Sequence, residues 1–148
     1  MRMLTYLILL ISFSSINKFS LKKDQNSNFE LEIIITNIEN PGNIFIAVYN
    51  NALDFNSDDD SSVRITYPIN ESVIKDSFTK KITLKQGTYA FKVYVDKNYN
   101  NKFDFNFFGL PKEQYGFSND VMGLFGPPNF QEASFKLNSN KNIKTKMK

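Results

Sequence analysis

Apolar residues recur at every second position along much of this chain, and nowhere do they sustain a period of 3.6. The clearest stretch is Thr88–Val95. Tyr89, Phe91, Val93 and Val95 fall on one side of it, and Ala90, Lys92 and Tyr94 on the other. Successive side chains of an extended backbone point to opposite faces, so this pattern predicts a strand with one buried face. Phe29–Thr36 repeats it, with Phe29, Leu31, Ile33 and Ile35 against Glu30, Glu32 and Thr36, and Ile34 the exception. Ile44–Tyr49 is continuously apolar and reads as a more deeply buried strand. The turn Asn40-Pro-Gly-Asn43 between these two predicts a hairpin. Val63–Tyr67, stopped by Pro68, is a further short strand. Phe78–Leu84 is another, followed by a turn at Gln86-Gly87. Glu132–Leu137 is the last, with Ala133, Phe135 and Leu137 inward.

Six or seven such strands, each with an apolar face to hide, require two packed sheets. The expected fold class is all-β, a small antiparallel β-sandwich of Greek-key, transthyretin-like or Ig-like topology. The 148 residues suit one domain, and fifteen Phe with seven Tyr supply its core. Residues 96–131 interrupt the strand pattern with a long loop rich in Gly, Pro and aromatics. It is expected to be ordered and packed, and loops of this length are often functional.

The chain contains no Cys, no His and no Trp. That excludes disulfides, thiolate nucleophiles, Cys zinc sites and the cysteine of a lipid-anchored lipoprotein. It also excludes Ser-His-Asp triads and nearly all zinc catalysis. The formal charge is +3, but residues 21–140 hold twelve basic and fifteen acidic side chains, a net −3. No nucleic-acid partner is expected of a mildly acidic body. Lys141, Lys144, Lys146 and Lys148 crowd the end of the sequence, and residues 139–148 are read as a basic disordered tail.

Arg2, the apolar run Leu4–Phe13 and the small residues Ser14 and Ser15 follow the order of a secretory signal peptide. The run is shorter than the roughly 20 apolar residues that cross a bilayer, so no stable transmembrane span is expected once the leader is cleaved. An uncleaved N-terminal anchor is the alternative. The resulting division is 1–20 signal peptide, 21–28 polar spacer, 29–138 β-sandwich and 139–148 tail. The expected location is extracytoplasmic, either periplasmic or secreted.

Two segments carry chemistry. Asp58-Asp59-Asp60 needs water or a cation, and a solvated loop is the simplest reading. Asp96, Asn98, Asn100 and Asp104 place oxygen side chains at positions 1, 3, 5 and 9 of a loop, with the Lys102 carbonyl at position 7. Hard oxygen donors on alternate residues are the front half of a calcium loop. Position 6 is Asn101 where Gly is usual, and position 12 is Phe107 where a bidentate Glu is usual. The competing reading is an Asx-rich turn whose side chains bond their own backbone, and Asn is abundant throughout this chain.

Gly87-Thr-Tyr-Ala90 leads into Asp96 and the Asn-rich turn. Gly109-Leu-Pro-Lys-Glu-Gln-Tyr-Gly-Phe-Ser-Asn119 and Gly126-Pro-Pro-Asn-Phe130 follow. Over residues 87–135 this series resembles the bacterial secreted family called domain of unknown function 2141. The resemblance implies a signal peptide, a β-sandwich and no established activity. Members of that family often have Gly where this chain has Asn101.

The expected function is a non-enzymatic extracytoplasmic binding or envelope accessory module, with weak calcium binding and no other cofactor. Tyr115, Phe117, Phe125 and Phe130 are candidates either to stack on a glycan or envelope protein or to pack the long loop onto the sandwich. The alternative is a secreted carbohydrate-active enzyme using a carboxylate pair, Asp96 with Asp104 or Glu113 with Asp120. The leader pattern predicts cleavage between Ser12 and Leu21. N-terminal sequencing of exported protein is expected to begin within that interval, and a sequence starting at Met1 would contradict it.

Overall fold

The computed structural model describes residues 27–57, 67–74, 76–123 and 126–148. The leader, nearly all of the spacer, Asp58-Asp59-Asp60 and Phe125 lie outside the described residues. Eight strands are seen: β1 Asn28–Ile38, β2 Gly42–Tyr49, β3 Tyr67–Val73, β4 Asp76–Lys85, β5 Gly87–Asp96, β6 Tyr115–Phe117, β7 Phe135–Leu137 and β8 Lys141–Lys146. They form two sheets. One runs β4-β1-β8; the other runs β3-β2-β5-β6, with β7 also paired to β5. Every pairing is antiparallel except that of β1 with β8. The protein is an all-β sandwich, as the alternation predicts.

The core lies between the sheets. Leu31, Ile33 and Ile35 of β1 meet Ile44, Ile46 and Val48 of β2, and Phe91, Val93 and Val95 of β5. Ile82 and Leu84 come from β4 and Ile143 from β8. The expected inward faces of β1 and β5 are thus the buried ones, with Phe29 only partly covered at the end of its strand.

The expected hairpin between β1 and β2 does not form. The two strands belong to opposite sheets, and residues 39–41 carry the chain across the sandwich. Asn37, at φ 63°, sits in a break of the β1–β4 register and bends the strand toward the other layer. Pro and Gly signal a reversal, but they do not say whether the returning strand pairs with the first or packs over it. Gln86 makes a second such crossing, from β4 in one sheet to β5 in the other.

The basic tail is also corrected. Residues 141–146 form β8, parallel to β1 and paired from Leu31↔Lys141 to Thr36↔Lys146. Ile143, Thr145 and Met147 are buried, while Lys144, Lys146 and Lys148 point out. The segment alternates like any other strand here, and its lysines belong to an exposed edge, where they discourage sheet-to-sheet aggregation. The domain therefore runs to the end of the sequence. Thr145 Oγ1 donates to the Phe117 carbonyl at 2.8 Å, tying β8 to β6 in the opposite sheet. A Cβ on Gly116 would lie 2.7 Å from Thr145 Cγ2, so this approach requires glycine.

Two smaller readings also change. The expected strand at 63–67 lies outside the described residues except for Tyr67, and β3, described over Tyr67–Val73, runs through Pro68 rather than stopping there. Pro68 is tolerated because β3 is an edge strand. Glu132 and Ala133 belong to a short helix, Phe130–Ala133, not to a strand. Asn129 and Glu132 close a capping box at its start, and β7 begins only at Phe135.

Unfolding in denaturant checks the core and the last strand together. Phe91→Ala is expected to cost about 3–5 kcal/mol and Ile143→Ala about 2–5 kcal/mol. Lys144→Ala is expected to stay within about 0.5 kcal/mol of the parent. Equal and negligible effects at 143 and 144 would return residues 141–148 to a disordered tail.

Candidate functional site

The loop after β5 is organised by one buried carboxylate. Asp96 is the last residue of the strand and is fully covered. Its Oδ1 accepts the Asn100 N–H at 3.2 Å and its Oδ2 the Asn101 N–H at 2.7 Å. Asn98 Oδ1 accepts from the Asn100 N–H, and Asn100 Oδ1 from the Lys102 N–H. The amides of Asn98 and Asn100 both donate to Asp104 Oδ2, at 2.7 and 2.9 Å. Asn101 takes the left-handed conformation that a Gly would occupy, and Tyr99 takes it as well, at φ 61°. For a bulky residue that backbone is strained, and the Asp96 clamp holds it in place.

Asp96, Asn98, Asn100 and Asp104 therefore do converge. Lys102 joins through its N–H, and its side chain is exposed. The oxygens bond to the loop's own N–H groups, as in an Asx-rich turn. Among the described residues, no group of three or more His, Cys, Asp or Glu side chains is arranged to hold a metal ion.

A further organising residue is Glu113, which the sequence offers only as half of a carboxylate pair with Asp120. Its side chain is buried. Oε1 accepts the Lys97 N–H at 3.1 Å and Oε2 the Asp104 N–H at 3.2 Å, so one carboxylate ties both ends of the loop together. Nothing local in the sequence announces this, because the partners lie nine and sixteen residues away. Asp120 lies elsewhere, accepting from the Lys146 N–H.

Beyond Asp104 the chain makes a tight turn. Phe105 bridges to Pro111. Asn106 closes the turn in several ways. Its N–H donates to the Leu110 carbonyl at 2.8 Å, its carbonyl accepts from Gly109, and its Oδ1 accepts from both Phe108 and Leu110. Gly109, at φ 75°, supplies the left-handed residue the reversal needs. This rigid turn displays apolar side chains to solvent. Phe107 is 97% exposed, Phe108 83% and Leu110 61%. At the base, the Lys112 N–H donates to the Asp104 carbonyl, and Lys97 Nζ donates to the Lys112 carbonyl at 2.8 Å. A cleft of about 300 Å³ opens beside this base, bordered by Lys97, Pro111, Lys112, Glu113, Gln114 and Lys148 among others.

Of the aromatics singled out from the sequence, Phe125 lies outside the described residues, Phe117 is buried, and Tyr115 and Phe130 are half-buried. Phe117 is buried with Tyr49, Phe55, Ala90 and Ala133 on the outer face of the larger sheet, and Tyr115 and Phe130 pack against that cluster. Phe55 stands edge-on to Phe130 at 5.8 Å, and Tyr115 edge-on to Phe103 at 5.8 Å. Tyr115, Phe117 and Phe130 pack the long loop onto the sandwich. The most exposed rings among the described residues are Phe107 and Phe108, with Tyr99 and Phe105 also more than half exposed, and nothing local in this aromatic-rich run of sequence distinguishes them.

No curated protein and no solved structure matches the chain. A family model described as "Uncharacterized protein conserved in bacteria (DUF2141)" matches residues 33–146. The match begins in β1, ends in β8, and takes in the loop at Asp96, the aromatic turn and the packed segment that follows. With well over half of its length matched, the chain belongs to this bacterial family.

Proposed function

We propose that this protein is a non-enzymatic binding module that works outside the cytoplasm, at the cell envelope, and that the turn at residues 105–111 is its contact element. The observation that carries this reading is the exposure of Phe107, Phe108 and Leu110 on a turn locked by Asn106. Apolar side chains held out on rigid backbone cost hydration without adding to the core, and such patches mark interaction sites. The leader pattern at residues 1–20 supports the compartment. The carboxylates support a non-enzymatic role, because Asp96 and Glu113 each hold two backbone N–H groups and are buried.

A second reading concerns the loop itself. Weak Ca²⁺ binding by Asp96, Asn98, Asn100, Lys102 and Asp104 is supported by the Asp96 clamp on the N–H groups of loop positions 5 and 6 and by the Asn98 and Asn100 side chains that meet Asp104. Two loop carboxylates correspond to an affinity on the order of 10⁻⁴–10⁻³ M. Rotating the Asn98 and Asn100 amides would replace N–H donors with oxygens, and Ca²⁺ would take the place of those donors at Asp104.

At ten times its dissociation constant, Ca²⁺ would stabilise the fold by about 1.4 kcal/mol, a rise in melting temperature of roughly 5 °C. Asp104→Asn preserves the loop's shape and is expected to abolish that rise. Asp96→Ala is expected to lower stability with or without Ca²⁺, because it removes the carboxylate that holds the Asn100 and Asn101 N–H groups and leaves its buried site empty. A melting temperature indifferent to Ca²⁺ and to chelator would leave the Asx turn as the whole account of the loop. For the contact element, cell fractionation is the check. The parent protein is expected with the envelope, and the double variant Phe107→Ser, Phe108→Ser in the soluble extracytoplasmic fraction with an unchanged melting temperature. Identical fractionation of the two would refute the turn as a contact element.

A further inference from the structure

We propose that the surface met by the turn is an anionic phospholipid bilayer, into whose interfacial layer Phe107, Phe108 and Leu110 insert. This rests on the turn being the contact element and goes on to name what it contacts.

Three observations favour lipid. The first is polar closure of the tip. The N–H groups of Asn106, Phe108, Gly109 and Leu110 all donate within the turn, to the Leu110 carbonyl, to Asn106 Oδ1 or to the Asn106 carbonyl. A backbone that enters an apolar layer must satisfy its polar groups internally, or each costs several kcal/mol. Four of the tip's donors are already satisfied.

The second observation is charge. Lys97, Lys102 and Lys112 are exposed around the base of the turn. None of them forms an ion pair among the described residues. Most carboxylates of the region are engaged: Asp96 and Glu113 are buried and Asp104 takes hydrogen bonds from two amides, while Glu39 is exposed at the border of the cleft. An apolar tip above a collar of ammonium groups complements a layer of acyl chains beneath anionic headgroups.

The third observation is ring geometry. Phe107 and Phe108 stand edge to face, 5.6 Å apart with planes at 82°. A sugar-binding site needs a flat ring with free donors and acceptors beside it to read hydroxyl groups. Here the rings are perpendicular and the backbone donors of the turn itself are engaged within it. That arrangement suits a medium that asks for apolar volume and no hydrogen bonds.

The test is co-sedimentation of exported protein, its leader removed by the cell, with vesicles of neutral phosphatidylcholine and of phosphatidylcholine mixed with phosphatidylglycerol. Binding is expected to the mixed vesicles and to weaken as salt rises. Phe107→Ser with Phe108→Ser is expected to reduce it at least about tenfold, with the melting temperature unchanged. Each lysine near such a surface contributes roughly fivefold, equivalent to about 1 kcal/mol. Lys102→Glu with Lys112→Glu is therefore expected to remove the preference for anionic vesicles.

Absence of vesicle binding, or binding that ignores both double variants, would overturn the proposal. Retention on purified cell-wall glycan without vesicle binding, or a dimer dissolved by the Phe107 and Phe108 changes, would also overturn it. Those last two results would leave the turn standing as a contact element with a different partner. Failure of the turn itself shows separately, as envelope retention that survives loss of both phenylalanines.

Discussion

Burial of the apolar face of β1 is the constraint on which the sandwich depends. Leu31, Ile33 and Ile35 are completely covered, yet β1 is the middle strand of a sheet of only three. Its ladder partners are β4, antiparallel along nearly its whole length, and β8, parallel over six residues. Its cover comes from β2 and β5 in the opposite layer. Because the strand is needed at the centre, the chain must leave it by crossing the sandwich, and it must also return at the end of the sequence to pair with its open edge. The sheet-to-sheet crossings at residues 39–41 and at Gln86 follow from that arrangement.

The larger sheet uses β5 in a comparable way. One edge of β5 pairs with β2, while the other is divided between β7 at residues 87–89 and β6 at residues 92–94. Between those two partners the Phe91 N–H is left over, and Ser118 Oγ accepts it at 2.9 Å. The same hydroxyl donates to the Ala133 carbonyl at 2.7 Å, which docks the short helix before β7. At its far end β5 delivers Asp96 beside the start of β2. A Cβ on Gly42 would lie 2.4 Å from the Asp96 carbonyl oxygen. The absence of a side chain at Gly42 lets the strands close up at the point where the loop begins, and the position of the loop is inherited from the core.

The parts legible in the sequence were those governed by period-two burial. Phe29–Ile35 and Tyr89–Val95 each reveal a strand and its inward face, because a single slip would expose the whole row. Ile143, Thr145 and Met147 follow the same rule. Their intervening lysines draw attention to charge, although an edge strand and a solvated tail share that composition. Pairing was less legible, since Asn40-Pro-Gly-Asn43 serves a crossing as well as a hairpin. Among the site residues, the convergence of Asp96, Asn98, Asn100 and Asp104 followed from local spacing. Glu113 did not, because its role depends on a fold that brings distant N–H groups to one carboxylate. Phe107 and Phe108 carry no local sign of exposure either, since Phe103 and Phe117 nearby pack inward.

Asp104 joins the two parts of the site. Its carboxylate collects the Asn98 and Asn100 amides, its N–H reaches Glu113, and its carbonyl takes the Lys112 N–H at the foot of the aromatic turn. A cation that replaced the two amides at Asp104 would therefore act on the residue that also anchors the turn. Were Ca²⁺ and a partner of the turn both to bind, their coupling would be reciprocal in free energy, so whatever Ca²⁺ added to the contact, the contact would add to Ca²⁺ affinity. The backbone bonds of Asp104 provide the path, and the buried carboxylates of Asp96 and Glu113 on either side keep it stiff. The cost of burying those carboxylates is offset by the two backbone N–H groups that each accepts, and the same bonds fix the relation between the Asx loop and the exposed rings.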